Sequence, residues 1–227
     1  MRGRAEPFPP LPRTGEGLGE GDSREVPLKQ LAGKLIAIEG IDQAGKQTVC
    51  EWLATELRNH GVTAEQTGFP DYATPLGHEI TAFLSGGREY PAEARQLLYA
   101  ANRWERAAEL RQWLAEGRAI VVDRYIASGV AYGAAHGLAL DWMLAVERGL
   151  PAADLTILLD ITPDVSLARK TTARDAYEAR TDLLARARDA YLTLAREPGW
   201  LVVDAATDRD TVRARVLAAL QQYLGSA

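Results

Sequence analysis

The residues of this chain with the clearest potential for chemistry lie at positions 40–48, where glycines, a lysine and a threonine follow an apolar run. Residues 40–46 match the pattern G-x-x-x-x-G-K. In this pattern the glycines let backbone N–H groups converge on a phosphate, the following helix adds a positive dipole, and the lysine reaches the outer phosphates. A strand-to-helix turn with a solvated lysine is the alternative, but the strand-like and helical flanks favour a nucleotide-binding loop. The residues predicted to contact the nucleotide are Gly40, Gln43, Ala44, Gly45, Lys46, Gln47 and Thr48.

The position after the lysine departs from this pattern. A hydroxyl residue normally stands there and binds magnesium. This chain has Gln47 at that position, and Thr48 comes one residue later. The loop therefore supports nucleotide binding more strongly than it supports a magnesium site.

An acid and a base, Asp123 and Arg124, stand at the end of another apolar run. At the carboxyl end of a strand, Asp123 can hold Mg²⁺ and Arg124 can hold a phosphate through two donors. The alternative is that Asp123 caps the next helix and Arg124 points into solvent. The presence of the phosphate-binding loop favours the functional interpretation.

Arg95, Tyr99 and Arg103 recur every four residues in a predicted helix at residues 91–117, so they share one face. An aromatic plane beside a guanidinium suits a planar base, through stacking and through hydrogen bonds to exocyclic oxygens. A partly exposed cation–π pair explains the same spacing equally well. Residues 69–72, F-P-D-Y, form either an aromatic wall of an acceptor pocket or a buried turn.

Positive charge is concentrated at residues 166–180, between two predicted helices. Such runs are usually solvated helix faces. Phosphoryl transfer, however, needs cations over the transferring group and exclusion of water. We therefore predict a lid at about residues 169–180.

Five apolar, β-rich runs separated by helical stretches must position these residues. They lie at residues 34–39, 62–67, 119–123, 154–160 and 200–204. The alternation predicts an α/β fold, a doubly wound five-stranded parallel sheet flanked by helices, of the P-loop NTPase type. Ligands bind at the carboxyl ends of the strands in such sheets, where this chain has Gly40, Phe69 and Asp123.

Composition limits the partners and the organisation of the chain. A net charge of −5 over 227 residues argues against a nucleic acid polymer as partner, because binding one normally needs a basic face. The single Cys50 excludes a disulfide within the chain and fits a reducing compartment. The chain contains no apolar run of about 18 residues, the length that would predict a membrane span. Residues 1–25, rich in proline and glycine, are predicted to be a flexible leader or the product of a misplaced start codon, before a single domain at 26–227.

Together these residues resemble the thymidylate kinase family of nucleoside monophosphate kinases, over about residues 34–224. The most specific segments are EGIDQAGK at 39–46, FPDY at 69–72, LLYAANRWE at 97–105 and DRYIASGVAY at 123–132. The resemblance implies an enzyme that transfers the γ-phosphoryl group of ATP to dTMP with Mg²⁺, giving dTDP and ADP for dTTP synthesis. It also implies a cytoplasmic homodimer.

The resemblance implies roles for individual residues at the acceptor. Thymine would stack on Tyr99, Arg103 would bond its carbonyl, and Phe69 would close the other side. Tyr132 would crowd the 2′ position of the sugar and favour deoxyribose. Asp42 would hold the region of the 3′-hydroxyl.

For the transfer itself, the resemblance implies Arg124 at the acceptor phosphate, Asp123 at Mg²⁺ and Lys46 at the donor phosphates. Tyr72 and Ser128 are further candidates for substrate binding. The candidate catalytic residues are Asp42, Lys46, Arg124 and Arg174.

Two departures from the family's pattern concern catalysis. Gln43 stands where some members have a catalytic arginine, and Ala176 stands where the lid often has one. Arg174, with Arg169 and Arg180 as alternatives, would supply this charge from the lid. The alternative functions are a kinase for another nucleotide or deoxynucleotide, and a nucleotide-binding protein with weak catalysis on the same fold.

Overall fold

The computed structural model describes residues 27–169 and 177–225, with the side chains of 177–180 left out. The predicted leader at 1–25 lies outside the described residues, and so does the part of the predicted lid that contains Arg174. In the part of the chain that the structure describes, no helix combines the length and the apolar character needed to cross a membrane.

Five strands form one parallel sheet, which confirms the predicted sheet. They are β1 (Leu35–Glu39), β2 (Ala64–Gly68), β3 (Ala119–Asp123), β4 (Leu155–Asp160) and β5 (Trp200–Asp204). Their order is β2-β3-β1-β4-β5. The connections that leave the neighbouring strands β1 and β3 run in opposite directions across the sheet. Such a reversal opens a crevice at the carboxyl ends of the two strands.

Helices connect the strands and cover both faces of the sheet. They are α1 (Lys46–Asn59), α2 (Pro75–Leu84), α3 (Ala92–Glu105), α4 (Ala107–Ala115), α5 (Ile126–Ala135), α6 (Leu140–Glu147), α7 (Pro163–Ala168), α8 (Tyr177–Leu194) and α9 (Arg209–Gly225). A short 3₁₀ helix at Leu28–Leu31 precedes β1.

The core lies on both sides of the sheet because alternate residues of a strand face opposite sides. On β1, Ile36 and Ile38 pack in a cluster with side chains of α1, α8 and α9. Leu35 and Ala37 pack in a second cluster with Leu110 of α4. Burial of both faces explains why this strand is an uninterrupted apolar run instead of an alternating one.

The prediction of one helix over residues 91–117 is wrong, because two helices, α3 and α4, meet at Arg106. The backbone N–H of Arg106 bonds to the carbonyl of Arg103, only three residues back. Its side chain forms ion pairs with Asp71 and Glu109. No glycine or proline marks the break, so it depends on these contacts and carries no sequence signal.

Candidate functional site

The phosphate-binding loop joins β1 to α1 and has the backbone that its glycines were predicted to allow. Gly40 has a φ of 141°, and a Cβ there would lie 2.5 Å from the carbonyl oxygen of Leu159. Gly45, with a φ of 92°, is the N-cap of α1. The adjacent Lys46 is buried, and its Nζ donates to the carbonyl of Ile41 at 2.8 Å. Burial lowers the pKa of Lys46 to about 7, so bound phosphates would favour its charged form.

The two polar residues after the lysine face different surroundings. Gln47 donates from Nε2 to Glu51 on the same helix at 2.9 Å. Thr48 lines a cavity of about 340 Å³ with Gln43 and Gly45 of the loop, which we call the second cavity. Thr48 therefore lies at the second cavity, which Asp123 does not line.

Sequence reasoning did not assign the far wall of the second cavity, which is formed by residues after β5. Thr207, Asp208 and Arg209 line it. Arg169 also lines it and links this wall to the loop, because it donates to the carbonyls of Ala205, Thr207 and Gln43 at 2.9, 3.1 and 3.2 Å. Thr207, Asp208 and Arg209 could have been found from the sequence because they follow the carboxyl end of a predicted parallel strand, where ligands bind.

A first cavity, also of about 340 Å³, lies on the other side of the loop. It brings together most of the predicted acceptor residues. These are Asp42, Tyr72, Tyr99, Arg103, Arg124, Ser128 and Tyr132. The size is in the range of small-molecule sites. The shared face predicted for Arg95, Tyr99 and Arg103 is confirmed, since all three line this cavity.

Phe69 does not line the first cavity. It is only 4% exposed, and its ring packs in the core at 5.9 Å from the ring of Tyr125. The same residue borders a third cavity of about 480 Å³, together with Asp123 and Arg124. The aromatic wall of the first cavity opposite α3 is formed instead by Tyr132 of α5 and by Tyr72, which is 49% exposed.

Arg124 stands between the loop and the first cavity, with a left-handed φ of 61°. Its Nη2 donates to Asp42 Oδ1 at 2.7 Å, and its Nη1 donates to Ser128 Oγ at 3.3 Å. The guanidinium lies 5.5 Å from the ring of Tyr132, whose hydroxyl donates to the same Asp42 oxygen. Arg124 is thus oriented by these three side chains, and the alternative of a solvated arginine is wrong.

The last residue of β1, Glu39, orients this region and was missed by sequence reasoning. Its fully buried carboxylate accepts bonds from the backbone N–H groups of Tyr125 and Ser128, which caps the first turn of α5. It also accepts from Ser128 Oγ at 2.6 Å and from the hydroxyl of Tyr191 at 3.0 Å. The only feature of the sequence that could have indicated Glu39 was its place as an acid at the end of an apolar strand. Glu39 thereby fixes the turn that presents Arg124.

Asn102 of α3 fixes the turn that carries Tyr72. Its Oδ1 accepts from the backbone N–H of Asp71 at 2.8 Å, and its Nδ2 donates to Thr74 Oγ1 at 2.8 Å. The carboxylate of Asp71 is itself paired with Arg106. Asp71 therefore stabilises the turn, and its neighbours Pro70 and Tyr72 line the first cavity.

Asp123 is the residue best suited to hold a cation. Its Oδ1 is buried and has no hydrogen-bond partner among the described residues, and burial raises the pKa of Asp123. Within residues 27–169 and 177–225, no three acidic, histidine or cysteine side chains are grouped closely enough to hold a metal. The buried, unpaired oxygen of Asp123 nevertheless fits Mg²⁺, which is often held by one carboxylate with phosphate oxygens and water.

Comparisons with known proteins agree with this geometry. The family model described as "Thymidylate kinase" matches residues 38–216. Thymidylate kinase of Arabidopsis thaliana is 35% identical over 81% of this chain and 69% of that protein. The human thymidylate kinase is 33% identical over 79% of this chain and 86% of that protein.

A solved structure agrees as well. The thymidylate kinase structure from Candida albicans superimposes with a TM-score of 0.71 at 28% identity, covering 86% of this chain and 92% of that one. The residues matched by the family model include the phosphate-binding loop and the side chains that line the first cavity. The chain therefore belongs to the thymidylate kinase family.

Proposed function

We propose that the protein transfers the γ-phosphoryl group of ATP to dTMP, giving dTDP and ADP, for dTTP synthesis. The observation that carries the proposal is the position of the two cavities on either side of the loop. Asp42 lines the first cavity, and the next residue, Gln43, lines the second. A nucleotide in each would bring donor and acceptor phosphates to the same loop, as direct transfer requires.

ATP would bind at the second cavity, with its phosphates on the backbone of residues 40–46. Lys46 would leave the carbonyl of Ile41 and bind the outer phosphates. Mg²⁺ would be held by Asp123, whose unpaired buried oxygen supports this role. The ion would supply charge compensation for the phosphates.

dTMP would bind in the first cavity with its base beside α3. Tyr99 would stack on thymine, and Arg103 would donate to a base carbonyl. Tyr132 would stand at the 2′ position of the sugar, and Asp42 would hold the 3′-hydroxyl. Tyr72 and Ser128 would complete the site, and Phe69 would support it from the core.

Arg124 would hold the acceptor phosphate through its planar fork. Phosphoryl transfer passes through a loose transition state, so alignment and charge supply most of the catalysis. Lys46 and Arg124 supply that charge here, with Arg174 in the proposed lid at about 169–180. No general base is needed, because a phosphate acceptor is already anionic at neutral pH.

The test of this function is ADP release by the purified protein with ATP and Mg²⁺. The acceptors dTMP, dUMP, UMP, CMP, GMP and thymidine are offered separately, with ATP alone as background. We expect turnover mainly with dTMP. Thermal stabilisation by dTMP without turnover would instead indicate a binding protein, and turnover mainly with another acceptor would reassign the substrate.

We also propose that the protein is a homodimer. Large apolar side chains are exposed on two helices that contact each other, Leu97 and Trp104 on α3 and Leu140 and Leu144 on α6. Exposed apolar side chains on neighbouring elements are typical of subunit interfaces. Light scattering should give twice the 24.7 kDa of one chain. A mass of one chain at micromolar concentration would contradict the proposal.

We propose a cytoplasmic location for the enzyme. The support is its single, buried Cys50, which can form no disulfide within the chain. Microscopy of the tagged full-length protein tests this location, and accumulation in another compartment would contradict it.

A further inference from the structure

We infer that Glu147 is a positioning residue for base recognition: it holds Arg103 in one orientation, balances its charge and thereby selects a base with a carbonyl over one with an amino group. The inference rests on the proposed function, because it assumes that a pyrimidine base occupies the first cavity beside Arg103. No sequence motif indicated Glu147, which is the last residue of α6.

The two side chains form a buried ion pair with two parallel hydrogen bonds. Arg103 Nε donates to Glu147 Oε2 at 3.0 Å, and Arg103 Nη2 donates to Glu147 Oε1. The side chains of Arg103 and Glu147 are 4% and 6% exposed. Two bonds between planar groups fix the plane of the guanidinium, which a single bond would leave free to rotate.

Gly129 of α5 closes over this pair. A Cβ at Gly129 would lie 2.8 Å from Arg103 Nη2 and 3.2 Å from Glu147 Oε1. Gly129 also lines the first cavity, as Arg103 does. A side chain at Gly129 would therefore have to displace the pair, so the helix confines the guanidinium from this side as the carboxylate does from the other.

The confinement determines which atoms remain for a ligand. The pair uses Nε and Nη2 of Arg103, and Nη1 makes no hydrogen bond to any residue that the structure describes. A guanidinium nitrogen only donates hydrogen bonds. It therefore bonds the carbonyl oxygen of thymine or uracil, but it cannot bond the amino group that cytosine has at the same ring position.

The balance of charge points to the same role. Glu147 compensates the positive charge of Arg103 inside the protein, so this end of the cavity suits a neutral base. Arg124, at the other end, is 21% exposed and lies beside the phosphate-binding loop. The anionic group of the acceptor would accordingly be drawn to Arg124 and the base to Arg103. Without Glu147, a buried and uncompensated cation would remain at the base end.

The test is the ratio of kcat/KM for dTMP to kcat/KM for dCMP in the full-length enzyme and in Glu147→Gln. Glutamine keeps the shape of the side chain but removes its charge. We expect the ratio to fall by about 10- to 100-fold, the effect of losing one hydrogen bond to a charged group. The loss should appear as a higher KM for dTMP, with the KM for ATP changed by less than about twofold.

The matched control is Asp141→Asn, which removes one negative charge from the same helix at an exposed position. It should leave the ratio unchanged. Glu147→Asp restores the charge and should recover part of the selectivity. An unchanged ratio in a folded Glu147→Gln enzyme would overturn the inference.

A second variant keeps the inference falsifiable if Glu147→Gln does not fold. Gly129→Ala leaves both charges in place but pushes against the pair, so it should lower the same ratio. Wild-type selectivity in folded Gly129→Ala would then overturn the inference. The wild-type enzyme distinguishes failure of the proposed function from failure of this inference. If wild type does not turn over dTMP, the proposed function is contradicted, and not the role of Glu147 alone.

Discussion

Replacing Arg124 with alanine is expected to lower kcat/KM for dTMP by about 10²- to 10³-fold, as loss of a charge-stabilising donor does at other active sites. Arg124 is positioned by Asp42, Ser128 and Tyr132, so its guanidinium is already oriented before the acceptor phosphate arrives. The fold should persist, because the Arg124 side chain is 21% exposed and its partners line the cavity. Steady-state kinetics with ATP and dTMP measure the effect, and circular dichroism checks the fold.

The control for this experiment is Arg118→Ala. Arg118 immediately precedes β3, whereas Arg124 immediately follows it, so the two arginines lie at opposite ends of the same strand. Arg118 forms ion pairs with Glu65 and Glu116. Its loss removes an equal charge far from the cavities and should leave kcat/KM unchanged. Near-normal turnover by the Arg124 variant would remove this residue from the proposed mechanism.

Replacing Lys46 with methionine is expected to lower kcat by at least about 10²-fold, because the transferring phosphoryl group loses a cation inside the loop. Methionine keeps the length and apolar stem of the side chain, so the loop should keep its shape. Single-turnover measurements at saturating ATP separate this loss from weaker nucleotide binding. Lys29→Met, at an exposed position in the short helix before β1, is the control.

The same variant should be more stable than wild type without nucleotide at pH 6. Burial lowers the pKa of Lys46 from 10.5 to about 7, so below pH 7 the folded protein carries a buried charge at a cost to stability. From pH 7 towards 10.5, the unfolded chain binds this proton and the folded one does not, so wild-type stability rises with pH. The stability difference should therefore shrink at pH 9. An equal difference in Tm at both pH values would contradict this account.

Local sequence patterns were sufficient to predict much of the fold and the donor phosphate site. The β-rich runs predicted all five strands. The signal was clearest for β1, β3 and β4, because central strands buried on both faces are apolar throughout. The spacing of Gly40, Gly45 and Lys46 predicted the loop because its geometry depends on consecutive backbone torsions. The four-residue spacing of Tyr99 and Arg103 likewise placed them on one face of α3.

The residues that sequence reasoning missed act through contacts with distant parts of the chain. Glu39 bonds to the N–H of Tyr125, 86 residues later. Asn102 bonds to the turn at Asp71, 31 residues earlier. In the sequence Glu39 is only an acid at the end of an apolar strand and Asn102 only a polar residue in a helix, and neither feature identifies the partner. Their partners become neighbours only when the helices and strands have packed.

The sequence by itself determined the parallel α/β sheet, the phosphate-binding loop and most of the side chains that line the first cavity, because each follows from spacing along one element or its place at a strand end. Only the tertiary structure decided how those side chains are held. It broke the predicted long helix at Arg106, moved Phe69 into the core and paired Arg103 with Glu147, 44 residues away. The reason is physical: backbone geometry is set by neighbours in sequence, whereas the orientation and charge of a buried side chain are set by neighbours in space.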